Sequence, residues 1–308
     1  MNGGMRTGSF ESRLFLLLRG MARMAEGGGT RVSLRLLAKV LTPGTGTAGW
    51  LDFLEFFADQ QRLPSSPSAI MRKPLDRYFA IGLRTEKRIA LLTDHYTLAA
   101  SAMPHSLLAS MWTTGVLPLA EITGKKARYT LRLMRSDLAS TREEGEWTLL
   151  LECVETGLAL CRLTFLLART PDAPPTVAIG GVQGAASAEA KARVIFATRD
   201  LGGLRPKDAL LLTAAGIADG LGSNVMQAVG NSRQLINARG AKRRAKLVSN
   251  YDAYWEERGG TRGGPYDFIL PVKNPSYAEP GQKRRDEAKR AFWDAGAGLI
   301  LDVKKAAA

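Results

Sequence analysis

Only two histidines occur in this 308-residue chain, so the candidates for acid–base work are few. His95 sits in the run Asp94-His95-Tyr96. On a helix, consecutive side chains point about 100° apart, so the sequence does not by itself set Asp94 to orient the ring, and His95 reads either as a satisfied structural histidine or as a base or substrate contact. His105 follows Pro104 and reads as a helix start. Gln183 lies in the run IGGVQG at 179–184, where it either orients a carbonyl or caps a turn. The glycines of that run, Gly180, Gly181 and Gly184, mark backbone that must turn or be approached closely. Arg205 and Lys207 bracket Pro206; they suit phosphates, the arginine as a fork and the lysine as a point charge, or else begin a solvated helix. Asn231, after the run NVMQAVG, either positions a reacting group or forms a turn. Glu256 and Glu257 fall near the end of a predicted helix, where the dipole disfavours them, which is compatible with a specific partner without establishing one. Transfer of an acyl group from a thioester asks for little more than such a set: a group to take the nucleophile's proton, a donor for the carbonyl oxygen, and a proton for the departing thiolate. His95, Gln183 and Asn231 are the catalytic candidates for that chemistry.

Other reaction classes lack their vocabulary. The sequence has no GxSxG, HExxH or GxxxxGK[ST], which removes serine-hydrolase, zinc-protease and P-loop readings, and no metal is expected. Cys153 and Cys161 lie outside any metal-ligand spacing and read as buried thiols in a reducing compartment.

The elements that must position these residues follow from hydrophobic period. FESRLFLLLRGMARM and RVSLRLLAKVL read as amphipathic, arginine-bearing helices between glycine-rich stretches. The break LPSSPSA at 63–69 follows, then helical patterns over 86–103 and 105–115. From there the period changes to β-rich runs split by turn residues: LPLAEITG, ARYTLRLMRS, GEWTLLLECVE, LALCRLTFLLA and TVAIGGVQG. Two helices, AEAKARVIFATRDLGG and PKDALLLTAAGIADGLG, are separated by Gly202, Gly203 and Pro206, and NVMQAVGN adds a strand. The segment SNYDAYWEERGGTRGGPYDFILP reads as a helix with a glycine cap and a further strand. We expect an α+β fold: an N-terminal helical section over 1–84, a core over 85–275 with a mixed, largely antiparallel sheet flanked by helices, and a basic C-terminal helix or tail over 276–308.

A formal charge of +14 favours polyanions such as phosphates, anionic lipid or nucleic acid. The basic runs at 242–246 and 282–290 lack a nucleic-acid motif or interleaved aromatics, so nucleic acid is the weakest of these. A membrane-surface factor would use the N-terminal helices and the same runs. No window approaches the roughly 20 apolar residues of a membrane span, and LFLLL at 14–18 is closed off by Arg13 and Arg19, so the expected address is cytoplasmic, with peripheral contact at the inner membrane as the variant.

The element order resembles the GNAT acyltransferase core, in which one strand splays from its neighbour and a helix N-terminus holds the pyrophosphate of coenzyme A. That resemblance implies acyl-CoA or an acyl carrier protein thioester as donor, with Gly180, Gly181, Gly184, Arg205 and Lys207 near its phosphates. MRKPLDRYFAIGL, LLTDHYTL, GVLPLAEITGK, EGEWTLLLE, AIGGVQG, LGGLRPKDALLL, QAVGN and YDAYWEERGG occur in an order that resembles the VirK/YbjX family over roughly residues 11–270. Here SRQLIN replaces the His-containing segment usual after QAVGN. The family resemblance implies links to virulence, stress and resistance to antimicrobial peptides. The acceptor expected is a small molecule, a peptide or an envelope precursor.

Overall fold

The computed structural model describes Ala38 and residues 46–75, 77–184, 187–238, 250–275 and 283–300. Apart from Ala38, the arginine-bearing helices expected at 10–24 and 31–41 lie outside the described residues, as do the glycine-rich stretches, the basic run 241–247 and the tail after 300.

Contacts divide the chain into two units, Met1–Asp76 with Arg84–Thr93, and Arg77–Leu83 with Asp94–Ala308. In the first, α1 (Thr47–Gln60) buries Trp50, Leu51, Leu54 and Phe57, a stripe at helical spacing. The Trp50 indole N–H donates to the Met71 carbonyl at 3.1 Å and ties α1 to the short α2 (Ser68–Met71). Helix α3 (Thr85–Ala102) begins in this unit and ends in the second.

The second unit holds an eight-stranded sheet in the order β1-β2-β3-β4-β5-β6-β8-β7. After α4 (His105–Thr113) come β1 (Val116–Thr123), β2 (Arg128–Arg135), β3 (Trp147–Cys153), β4 (Ala159–Thr170) and β5 (Ala173–Gly184), an antiparallel meander. Alternation is clean in β2, where Tyr129, Leu131 and Leu133 are buried and Arg128 and Arg132 face out. β3 and β4 are buried nearly throughout, as expected of strands covered on both faces. β5 begins at Ala173, earlier than its hydrophobic run, because Asp172 takes the left-handed conformation (φ 54°) that closes the hairpin and Pro174 sits exposed at its end.

Two helices, α5 (Ala188–Asp200) and α6 (Pro206–Gly220), carry the chain from β5 to β6 (Val225–Val229), and β5/β6 is the one parallel pair among the described strands. A short α7 (Tyr251–Glu256), β7 (Thr261–Arg262) and β8 (Asp267–Pro271) follow, with β8 antiparallel between β6 and β7. Helix α6 packs over β4 and β5, and α8 (Lys283–Ala297) packs on α6. The two helices touch backbone to backbone: a Cβ at Gly296 would lie 2.0 Å from the Thr213 carbonyl oxygen, and one at Gly216 2.3 Å from that of Trp293. Phe292 and Trp293 are buried at this crossing.

Candidate functional site

β5 pairs with β6 only through Ala178↔Gln227 and Ile179↔Ala228, yet it stays paired to β4 as far as Gly184↔Cys161. Beyond Ile179 its free edge needs other partners, because buried backbone carbonyls are rarely left unbonded. The Gln234 amide donates to the Gly180 carbonyl at 3.1 Å, and the Tyr251 hydroxyl donates to the Val182 carbonyl, also at 3.1 Å. Trp255 donates its indole N–H to the Val229 carbonyl at 3.0 Å and is fully enclosed.

Asn231 holds α7 in this position. Its backbone N–H donates to Asp252 Oδ1 at 2.7 Å, its Nδ2 donates to Asn250 Oδ1 at 2.7 Å, and its Oδ1 accepts the Tyr251 N–H at 2.9 Å. Asn250 in turn caps α7 by accepting the Ala253 N–H at 3.2 Å.

A groove of about 590 Å³ opens beside the end of β5, and a smaller cavity of about 290 Å³ adjoins it, reaching Val182 and Tyr251. Leu160 and Cys161 of β4, with Val194 and Ile195 of α5, give the groove an apolar floor. Lys191, Arg199, Arg205 and Arg258 give it a basic rim. Lys207, Tyr254 and Glu257 line both cavities. Tyr254 is gripped: the Arg258 guanidinium carbon lies 3.6 Å from its ring centroid, while Arg258 Nε donates to Asp208 Oδ1 at 2.7 Å. Burial pushes the Tyr251 and Tyr254 hydroxyls up, so both stay protonated at neutral pH. Burial also pushes the Cys161 thiol up and the Lys207 ammonium down.

The sequence candidates separate into several places. His95 is fully enclosed, its Nδ1 accepts the Leu167 N–H at 3.0 Å, and its ring stands edge-on to Trp147 with centroids 4.4 Å apart. Asp94 pairs with Arg169 at 3.0 Å. Along β4, Leu167 lies about 16 Å from Arg162, the register partner of Gln183, so the structure does not bring His95 and Gln183 together. Gln183 donates from Nε2 to Glu144 Oε1 at 2.7 Å. Gly180 and Gly181 face the loop before β3: a Cβ would lie 1.8 Å from the Glu144 carbonyl oxygen at Gly180 and 2.5 Å from the Glu144 carboxylate at Gly181. Close approach does explain these two glycines, but the approaching group is the chain's own loop. Gly184, by contrast, lines the groove beside Lys207. Arg205 is exposed and 3.4 Å from Glu257, which also pairs with Arg258 at 2.9 Å, and Glu256 lies 3.4 Å from Arg262.

Sequence reasoning missed Lys191, Ile195 and Arg199. Their signal was present, since Lys191, Ile195, Thr198 and Arg199 fall on one face at helical spacing. Glu144 carried no signal, because its partners on β5 lie far along the chain. Both cysteines are free and buried, and among the described residues no His, Cys, Asp and Glu cluster is arranged to hold a metal. Among the described helices none is long and apolar enough to cross a membrane.

Residues 29–293 match the sequence profile of a family described as protein of unknown function (DUF535). The chain is similar to the uncharacterized protein YbjX of Escherichia coli (strain K12), at 28% identity over 247 residues that cover 79% of this chain and 72% of that protein. No solved structure matches significantly. The chain thus belongs to the DUF535 family, the VirK/YbjX family that its ordered motifs resemble.

Proposed function

We propose that the groove beside β5 holds an acyl thioester and that the chain transfers its acyl group to an amine or hydroxyl. One observation carries this reading: the parallel pair β5/β6 parts after two register pairs, and the strand end so released opens onto a groove with an apolar floor and a basic rim. A thioester carried on coenzyme A or on acyl carrier protein has these two halves, an acyl chain and phosphates. The strand order, with its lone described parallel pair followed by an antiparallel strand, resembles the GNAT core and supports the same reading.

In this account Arg199 and Arg205 meet the phosphates, as guanidinium forks suit them, and Lys191 adds charge. Val194 and Ile195 take the acyl portion. The Tyr254 hydroxyl, which donates to Asp208 Oδ1 at 3.3 Å, turns its hydrogen bond to the departing sulfur, and Glu257 takes the acceptor's proton. His95 has no part here, because its position in the core gives no access to a substrate. The acceptor is an amine or hydroxyl of a small molecule, a peptide or an envelope precursor.

Calorimetric titration with acetyl-CoA tests the phosphate half. Arg199→Glu combined with Arg205→Glu should weaken binding at least about tenfold, since losing hydrogen bonds to charged groups costs about 1.5–3 kcal/mol each. Unchanged affinity in the double variant would reject the assignment of the rim. Equal affinity for a thioester lacking the nucleotide would reject it too.

A further inference from the structure

Lys207 is out of place for a cation. It is the second residue of α6, at the positive end of the helix dipole, where an ammonium is disfavoured. Its charged neighbours do little to compensate. From the turn after α7, Arg258 adds like charge; from β4, Cys161 is a thiol kept neutral by burial. Asp208 is the one carboxylate that favours its charged form, by less than Arg258 opposes it, and that group is already engaged by Arg258 Nε at 2.7 Å and by the Tyr254 hydroxyl at 3.3 Å. Lys207 makes no salt bridge with a described residue; its Nζ stands 5.7 Å from the centroid of the Tyr254 ring, and it lines both cavities. Desolvation, the largest influence, lowers its pKa from the ordinary lysine value. An amine that is short of counter-charge, half-buried and open to a groove meets the conditions that make a lysine nucleophilic.

We propose that Lys207 is an acylation site: its neutral amine attacks the carbonyl of an acyl thioester in the groove, and the chain acylates itself. The Nζ lone pair forms the C–N bond, the C–S bond breaks with its electron pair leaving on sulfur, and the proton shed by nitrogen ends on the thiolate. The products are an N-acyl-lysine and a free thiol, with no oxidant or reductant required. The amide is stable, so the event removes one positive charge from the groove and places an acyl chain across its floor. This inference rests on the thioester reading for its acyl source.

The test uses the full chain and acetyl-CoA, followed by digestion, mass spectrometry of every lysine peptide and titration of released thiol, with a parallel melt in the presence of coenzyme A. The expected result is acetylation at Lys207 at least about tenfold faster than at the exposed Lys125 and Lys126, because a thioester held in the groove meets this amine at an effective concentration that free solution does not reach. One thiol should appear per acetyl group, the rate should level off below pH 10.5, and Lys207→Arg should lack the modification. Coenzyme A that raises the melting temperature while Lys207 stays unmodified would overturn the self-acylation and leave the thioester reading standing. Neither a melting shift nor labelling would overturn both. Uniform labelling of all exposed lysines would overturn the inference as solution chemistry.

Discussion

Substituting the glycines of IGGVQG by alanine, one at a time, separates a strand packed against its own loop from a strand kept bare for phosphates. At Gly180 the new Cβ would fall 1.8 Å from the backbone oxygen of Glu144, where real Cβ contacts keep beyond 3.0 Å, so loop and strand must part by over an ångström. The loop resists this: the Phe79 N–H donates to the Glu143 carbonyl at 2.7 Å, the Glu144 N–H to that of Thr141 at 2.8 Å and the Glu146 N–H to that of Phe165 at 3.0 Å. Overpacking against fixed backbone costs about 1–3 kcal/mol, and Gly180→Ala should reach the upper end, about 3 kcal/mol. At Gly181 the obstacle is the Glu144 carboxylate at 2.5 Å, a flexible group, but moving it breaks the bond from Gln183, so about 1–2 kcal/mol is expected. At Gly184 the nearest atom is Lys207 Cε at 3.2 Å, the end of a mobile side chain, and the lower chain entropy of alanine offsets the contact to within about 0.5 kcal/mol. Urea unfolding followed by tryptophan fluorescence gives the three values. The reasoning is refuted if Gly184→Ala destabilises as much as Gly180→Ala, or if Gly180→Ala costs under about 1 kcal/mol.

Further predictions concern the clasp of β1 to β2, the seat of α7 and the groove amine. Asp200, nearly enclosed, accepts the Tyr129 hydroxyl at 2.8 Å and the Lys126 and Ala127 N–H groups at 2.7 and 3.2 Å. Asp200→Ala should therefore cost about 3–5 kcal/mol and Tyr129→Phe about 1–2 kcal/mol in denaturant melts, because the aspartate loses a charged acceptor for several donors and the tyrosine only one bond. Asn231→Ala should cost about 1–2 kcal/mol and expose the amides of Tyr251–Glu256 to hydrogen exchange ahead of those in β4. Lys207→Met should be more stable than the parent at neutral pH, and the gap should close as pH rises. A folded-state pKa held below 10.5 means that the unfolded chain binds more protons between that lowered value and 10.5, so the parent gains stability across this window and the variant does not. A gap that stays constant with pH would show that the amine is not perturbed.

Much of the sheet was legible because its strands alternate or run apolar between strong turn residues: Tyr129, Leu131 and Leu133 announce β2, and the β4 run from Leu160 to Ala168 announces a strand buried on both faces. The packing that joins distant segments was less so. Nothing in KRRDEAKRAFWDAGA separates a charged tail from a helix seated on α6, although Ala288, Phe292 and Trp293 share a face and Gly296 is the notch that admits the Thr213 carbonyl. Close approach applies to Gly180 and Gly181 but not to Gly184, and identifying Glu144 as the approaching residue required the tertiary structure. Tyr251 and Trp255, conspicuous in YDAYW, turned out to close the wedge between β5 and β6. His95 shows the limit of residue type as a guide: its composition suits a base, and its burial against Trp147 and Leu167 gives it a structural setting.

The most direct test of the central claim is a thermal-shift titration of the full chain with coenzyme A, acetyl-CoA and a long-chain acyl-CoA, repeated with acyl carrier protein bearing the same acyl group. Ligand at 100 times its dissociation constant stabilises the folded state by about 2.7 kcal/mol, a shift of several degrees for a chain of this size. The groove predicts a saturable rise that grows with acyl length as Val194 and Ile195 are covered, and that shrinks in the Arg199→Glu, Arg205→Glu double variant. A flat response to every thioester, free or carried on protein, would contradict it.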